Sequence, residues 1–237
     1  MSNQQHPKRY YLRFDIHQRI QHILLIVSFL TLVATGLTFR YAGAPGTRAI
    51  AQFVGGAYVL SMIHRATAIL LLATGIYHVI YLILQFAKGL RSTTMLPKIK
   101  DVSDFIRAVL YNFGLVREAP RYDRYSFDEK FEYWSVVWGT IVMAATGVLL
   151  WNPVWTTQHL PYIYLLVARV IHSYEGLLAI LAIIIWHSYH AHLRPDVFPM
   201  SRVWLDGLIS EEEMKKHHPL EYERIMTRQH KEDEKTD

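Results

Sequence analysis

The stretch 163–195 limits what this chain can become more than any other part of it. It is apolar for long enough to cross a bilayer, and it carries His172 toward one end and His187 toward the other. On a regular α-helix the two imidazoles lie roughly 22 Å apart along the axis and about 60° apart around it. An ionisable side chain inside a membrane helix is costly and by default functional, so each histidine needs a partner from elsewhere in the chain.

The rest of the sequence supplies helices that can carry those partners. Of 237 residues, 51% are hydrophobic and 19% charged. The apolar ones collect in four segments, 20–39, 58–86, 131–151 and 163–190, each at or above the roughly 20 residues a helix needs to span the hydrocarbon core. The predicted fold is therefore an all-α membrane protein, a four-transmembrane-helix bundle over residues 1–195, followed by a cytoplasmic tail over 196–237. Between the second and third spans, Val102, Phe105, Ile106, Val109, Leu110 and Phe113 recur at helical spacing behind Asp101 and Ser103. That pattern predicts a short amphipathic helix lying at the interface. Residues 40–57, with Gly43, Pro45, Gly46, Gly55 and Gly56, read as a turn-rich loop. Ser210 followed by Glu213 reads as a capping box opening a tail helix.

All but four of the 25 Lys and Arg residues fall in the N-terminus (Lys8, Arg9, Arg13, Arg19), the long second loop and the tail. The exceptions are Arg40, Arg48, Arg65 and Arg169, so both termini are expected in the cytoplasm, with the bundle in a bacterial inner membrane. The net charge of +5 is then a signal of topology and of contact with anionic lipids, and gives no reason to expect nucleic-acid binding. The polar, basic residues 1–19 argue against a cleavable signal, so the first helix is expected to stay in the membrane. With no cysteine, the sequence holds no c-type haem attachment, cysteine-ligated iron–sulfur cluster or disulfide.

Topology sorts the intramembrane histidines by depth. His64 and His172 share the far-side level; His22, His78 and His187 share the cytoplasmic level. His64 and His78, fourteen residues apart, project from one face of the second helix, four turns less roughly 40°. Two planar cofactors stacked along the bundle, each gripped by histidines from facing helices, account for this set. Bis-histidine haem is the natural candidate, because imidazole suits iron and no carboxylate cage is present for a harder metal. His22 and His78 compete for one ligand position. His17, His190 and His192 read as interfacial. Arg65 and Arg169, at the far-side level, are placed to pair with haem propionates. Glu175, one turn after His172, is the only carboxylate well inside a helix; it reads as a protonated, hydrogen-bonded acid or as a proton relay or quinone contact. Ala-Thr-Gly recurs at 34–36, 73–75 and 145–147, once in each of the first three helices, as small residues that admit a close neighbour or as a chance echo.

Several short pieces together carry a resemblance: Arg19-Ile-Gln-His22, Ile63-His64, Lys130-Phe-Glu-Tyr-Trp134-Ser135 with Thr146-Gly147 and Trp151, Ile171-His172, Trp186-His187-Ser-Tyr189, and Lys215-Lys216-His217-His218-Pro219. In order and wording they resemble the cytochrome b (gamma) subunit of membrane-bound formate dehydrogenase and the wider di-haem group that includes the cytochrome b of nickel–iron hydrogenase. The resemblance implies two haem b groups, with His64 and His172 ligating the far-side haem and His22 and His187 the cytoplasmic one. It implies electrons arriving from a periplasmic dehydrogenase or hydrogenase with an iron–sulfur subunit and passing to menaquinone or ubiquinone. The quinone place beside the cytoplasmic haem corresponds to Tyr125, Ser126, Phe127 and Asp128. Three features depart from the family pattern. His78 with His64 imitates the paired histidines of the cytochrome b in respiratory bc complexes, Ser126 and Asp128 replace an amide and a glycine, and Glu175 stands at a small apolar position. Substrate chemistry is expected to belong to another subunit. Reverse flow, from quinol to a periplasmic multihaem cytochrome, is the alternative, and a histidine-lined metal transporter is the rival from another class.

Overall fold

The computed structural model describes residues 9–89, 93–195 and 197–234; Lys8, counted in the charge argument above, lies outside them. In chain order the elements are β1 (Tyr10–Leu12), α1 (Ile16–Arg40), α2 (Pro45–Phe53), α3 (Ala57–Ala87), a single 3-10 turn (Thr93–Met95), α4 (Ile99–Asn112), α5 (Phe127–Trp151), α6 (Pro153–His159) and α7 (Tyr162–Leu181). The last of these continues as π-helical turns over Ala182–His187 and Tyr189–Leu193, and α8 (Val203–Asp206), β2 (Leu208–Ser210), α9 (Glu211–His217) and α10 (Pro219–Asp233) complete the chain. Four helices, α1, α3, α5 and α7 with its π extension, are long and apolar enough to cross a membrane. Each of the four apolar segments of the sequence becomes one of them.

Two compact units divide these elements: residues 17–84 with 135–201, and residues 1–16 with 85–134 and 202–237. The first holds most of the four long helices. Its surface is apolar, with residues such as Ile69, Ile76, Ile83, Ile184 and Ile185 exposed. Among its buried residues are several small polar ones: Ser28, Thr35, Thr38, Thr74 and Thr146. This inversion is what a hydrocarbon solvent selects, since large aliphatic side chains face lipid and small residues let helices approach. Where the sequence suggested only turns, α2 and α6 form short helices. Proline stands in the first turn of both, where its missing N–H costs nothing. Asn152 caps α6 by accepting from the Trp155 N–H at 3.0 Å.

The second unit is held by charge. β1 and β2, absent from the sequence reading, pair antiparallel with Tyr11 opposite Ile209. The ribbon brings the N-terminal residues against the tail, with Ile209 and Met214 buried. Arg13, also buried, reaches Glu221 at 3.0 Å and Glu129 at 3.3 Å, while Arg124 meets the other oxygen of Glu221 at 2.7 Å. Lys130 pairs with Asp101 at 2.7 Å, and the Asp101 carboxylate also accepts the Lys98 N–H that opens α4. The predicted amphipathic helix is thus α4, capped by Asp101. Ser210 and Glu213 form the expected reciprocal cap of α9, at 2.8 to 3.3 Å.

Burial, together with the nearby Arg13 guanidinium, pushes the His218 imidazole below its ordinary value of 6.5, against a smaller opposing pull from Glu129. The ring is buried, and its Nδ1 lies 2.9 Å from the Asp123 carbonyl. For Asp123, burial alone would raise the carboxyl, but the Arg224 guanidinium and the Arg124 N–H outweigh it and hold it below the ordinary value.

Two outcomes follow for this unit. A histidine whose folded pKa is depressed favours the folded state above its unfolded value and penalises it below, so stability falls as pH drops beneath about 6.5. The depressed Asp123 adds a loss of the same sign at more acid pH. Limited proteolysis of the tail across this range should show cleavage accelerating as pH falls, an effect weakened in His218→Asn. Glu221→Gln leaves two guanidinium groups without their shared counter-charge; breaking such a buried pair costs about 3 kcal/mol, so tail proteolysis should set in at a distinctly lower temperature than in wild type.

Candidate functional site

A hydroxyl buried in an apolar helix has one proton to place, and these helices place it on their own backbone. Thr35 Oγ1 donates to the Thr31 carbonyl at 2.8 Å, Thr74 Oγ1 to Leu70 at 2.9 Å and Thr146 Oγ1 to Val142 at 2.7 Å. The oxygen keeps its acceptor lone pairs for a second partner. In two of the three cases that partner is a histidine.

His64 Nδ1 lies 2.7 Å from Thr35 Oγ1, and His172 Nδ1 lies 2.9 Å from Thr146 Oγ1. Because both hydroxyl protons are already committed, each imidazole is the donor. This fixes the tautomer with Nδ1–H and leaves Nε2 as a bare lone pair. Each ring lies over the glycine that follows the threonine: a Cβ on Gly36 would sit 3.7 Å from His64 Cε1, and one on Gly147 3.4 Å from His172 Cε1, both in ordinary van der Waals contact. The two rings lie at a steep angle to each other, 65° between their planes, with centroids 6.4 Å apart.

A second pair stands at the other level. His22, in the second turn of α1, has its ring centroid 6.3 Å from that of His187. His78 is placed differently: its Nδ1 lies 2.8 Å from Gln21 Oε1 and its ring stacks on Tyr81. The His187 ring is also 6.4 Å from His192, edge-on, but both belong to one stretch of helix. A flat macrocycle fits between residues of separate helices and not between neighbours on one.

The helix carrying His172 and His187 departs from the regular geometry assumed from its sequence. Backbone bonding becomes π-type from Ala182 to His187, and one residue absorbed without rotation sets the following side chains back by roughly 100°. The expected lead of about 60° for His187 thus becomes a lag of about 40°, the offset of a fourteen-residue spacing such as that between His64 and His78.

The spacing of the rings tests whether haem suits these residues. A metal–imidazole bond of about 2.0 Å puts the ring centre about 3.1 Å from the metal, so two imidazoles on opposite sides of one iron have centres about 6.3 Å apart. Both interhelical pairs match that span. Among the described residues, no group of three or more His, Cys, Asp or Glu is arranged to hold a bare metal ion. The donor set fits a ring-bound iron that needs only two axial ligands.

Other singled-out residues take definite places. Arg65 donates to the Trp151 carbonyl at 3.2 Å and lies over the Trp151 ring, and Arg169 is exposed. Arg40, counted only for orientation in the sequence, bonds Ser173 Oγ beside His172 and stacks over Tyr174 at 4.7 Å. Glu175 reaches toward Gly139, where a Cβ would lie 3.1 Å from its Oε1. Tyr125 and Ser126 are buried in the charged unit. The Arg13 guanidinium stands 5.0 Å from the Tyr125 ring centre, and the Ser126 N–H and hydroxyl both bond Glu129 Oε2, capping α5. Asp128 lies in the first turn of that helix. His17 bonds Tyr77 OH at 2.7 Å. Gln21, Thr35 and Thr146 were not singled out as site residues by sequence reasoning; the repeated Ala-Thr-Gly was the signal that could have found the threonines.

A family model described as prokaryotic cytochrome b561 matches residues 13–220. The chain is similar to the cytochrome b556(Fdn) subunit of the nitrate-inducible formate dehydrogenase of Escherichia coli, at 24% identity over 90% of this chain and 91% of the relative. It is also similar to the cytochrome b556(fdo) subunit of formate dehydrogenase from the same organism, at 22% identity over 90% and 92%. A third relative is the cytochrome b556 subunit of formate dehydrogenase from Haemophilus influenzae, at 20% identity over 89% and 82%.

Filling the notch under the His172 ring should be felt at once. Gly147→Val adds γ-methyl groups beyond a Cβ position already in contact with the His172 ring, for which an overpacking cost of about 1–3 kcal/mol is expected. Thermal unfolding in detergent should show the lowered midpoint, and Gly75→Val, where nothing lies within 4 Å of the added Cβ, should not.

Proposed function

The chain belongs to the prokaryotic cytochrome b561 family, and from that premise we propose that it is a di-haem cytochrome b subunit carrying electrons between a periplasmic redox partner and the quinone pool. Membrane electron transfer follows from the family and from the four membrane-length helices. The observation that carries the di-haem reading is the pair of interhelical histidine contacts, 6.4 Å and 6.3 Å between ring centres, at two levels of the same four helices.

In this reading His64 and His172 bind one haem iron, and His22 and His187 the other. His78 supports Gln21 beside His22 and is not itself a ligand. Haem, when bound, supplies one-electron oxidation and reduction. The chain's own part would be to offer each iron two imidazoles from separate helices, His64 with His172 and His22 with His187. Thr35 and Thr146 hold the Nδ1 protons of two of the ligands. Arg40, together with Arg65 and Arg169, supplies cationic charge for propionates at the level of His64. The spans keep water and ions from the path through an apolar layer.

Basic residues concentrated in the N-terminus, the long second loop and the tail favour an inner-membrane protein with both termini in the cytoplasm. The named relatives are subunits of formate dehydrogenases, so the partner is taken to be a dehydrogenase whose iron–sulfur subunit delivers electrons from the periplasm. Quinone, menaquinone or ubiquinone, takes up two electrons and two protons on reduction. Tyr125, Ser126 and Asp128 are proposed to line its place, with the Asp128 carboxylate handing on protons.

A reduced-minus-oxidised spectrum and haem content of the purified protein test this directly. Two b-type haems per chain are expected in wild type, one in His172→Ala and one in His187→Ala, and two still in His78→Ala. A colourless wild-type preparation, or His78→Ala losing a haem that His22→Ala keeps, would overturn the assignment.

A further inference from the structure

The pair His64 and His172 is built twice from the same parts. In each half, a threonine-glycine step on one helix faces a histidine on the next long helix: Thr35-Gly36 of α1 faces His64 of α3, and Thr146-Gly147 of α5 faces His172 of α7. The threonine donates one turn back along its helix and accepts the Nδ1 proton of the histidine, and the ring lies in van der Waals reach of the glycine that follows. The third copy, Thr74-Gly75, makes the intrahelical bond but has nothing within 4 Å of the glycine's Cβ position. Chance repetition of small residues would not place a histidine Nδ1 on the hydroxyl, and Cε1 over the glycine, in two separate helix pairs.

We propose that Thr35 and Thr146 are positioning residues that lower and fix the reduction potential of the iron held between His64 and His172, acting through the Nδ1 proton of each ligand. The inference rests on the haem reading above. An imidazole whose N–H is hydrogen-bonded is a more basic ligand through its other nitrogen, and more electron donation favours the ferric state. The hydroxyls suit this task because their own protons are spent on the Thr31 and Val142 carbonyls, so they cannot turn round and donate to Nδ1. Two such bonds on one iron act in the same direction. They also lock the rotation of both rings, which no acceptor on the metal side could do.

The test uses the full chain purified with its haems, with Thr35→Val, Thr146→Val, the double variant and the two serine counterparts. Potentiometric titration of the haem absorbance is followed together with the ferric low-spin electron paramagnetic resonance signal. Each valine variant is expected to raise the midpoint potential of one component, the one missing from His64→Ala, and to shift its low-spin signal. The double variant shifts further, the serine variants titrate as wild type, and the other component does not move. Loss of that one haem in the valine variants with retention in the serine variants equally supports the role, since the hydroxyl then decides whether the ring can bind. Valine variants with both haems and wild-type potentials would overturn the inference while leaving the di-haem reading intact. So would serine variants that lose the haem as valine does, because volume rather than the hydroxyl would then be at work. A haem-free wild type overturns both together.

Discussion

An imidazole in a hydrocarbon layer must have its N–H satisfied inside the protein, because no water is there to do it. Two pairs of membrane-length helices meet that demand in the same way. For His64 and His172 it is met by a threonine oxygen whose own proton is already bound to the backbone. The same bond leaves Nε2 as the other nitrogen of each ring, the one that meets iron in the di-haem reading. A glycine follows each threonine, and the ring lies within van der Waals reach of the place its Cβ would take.

The other compact unit answers a different demand. Arg13 and Glu221 are both buried, and they are tolerated because Arg124 and Glu129 complete an alternating set of charges around them. Such a cluster is a poor source of net stability compared with apolar packing, but it is unforgiving of a wrong register. Residues from the N-terminus, the long loop and the tail contribute one charge each or more, so the ribbon of β1 and β2 and the start of α5 are pinned by the same few side chains. Ser126 takes part as the cap of α5, bonding Glu129 through both its N–H and its hydroxyl.

Much of this was legible in the residues. Four apolar runs of the right length gave the four long helices, and the period of Val102, Phe105, Ile106 and Val109 gave α4. The pairing of His64 with His172 followed from depth alone. Depth could not separate His22 from His78, because both lie near the same level; only the azimuth around α1 and α3 places one ring opposite His187 and the other against Gln21 and Tyr81. The short helices α2 and α6 were masked by their glycine and proline content, although proline in a first turn is compatible with a helix. The three-residue strands are too short to leave an alternation, and their pairing depends on a contact between residues some two hundred positions apart.

The fifteen-residue spacing of His172 and His187 shows why a sequence count can mislead even where every residue is correctly identified. On a uniform α-helix the two rings diverge by about 60°, enough to aim one of them away from the helices that carry the partners. The π-helical turn over Ala182–His187 turns that lead into a lag of about 40°, and just past it the Ser188 hydroxyl donates to the Ile183 carbonyl at 2.8 Å. Irregular backbone of this kind is frequent at functional sites, and in the di-haem reading the side chain it redirects is the ligand His187. The π-helical stretch ends on His187, the residue whose ring centre lies 6.3 Å from that of His22, so the count of fifteen residues alone does not give the direction in which that ring projects.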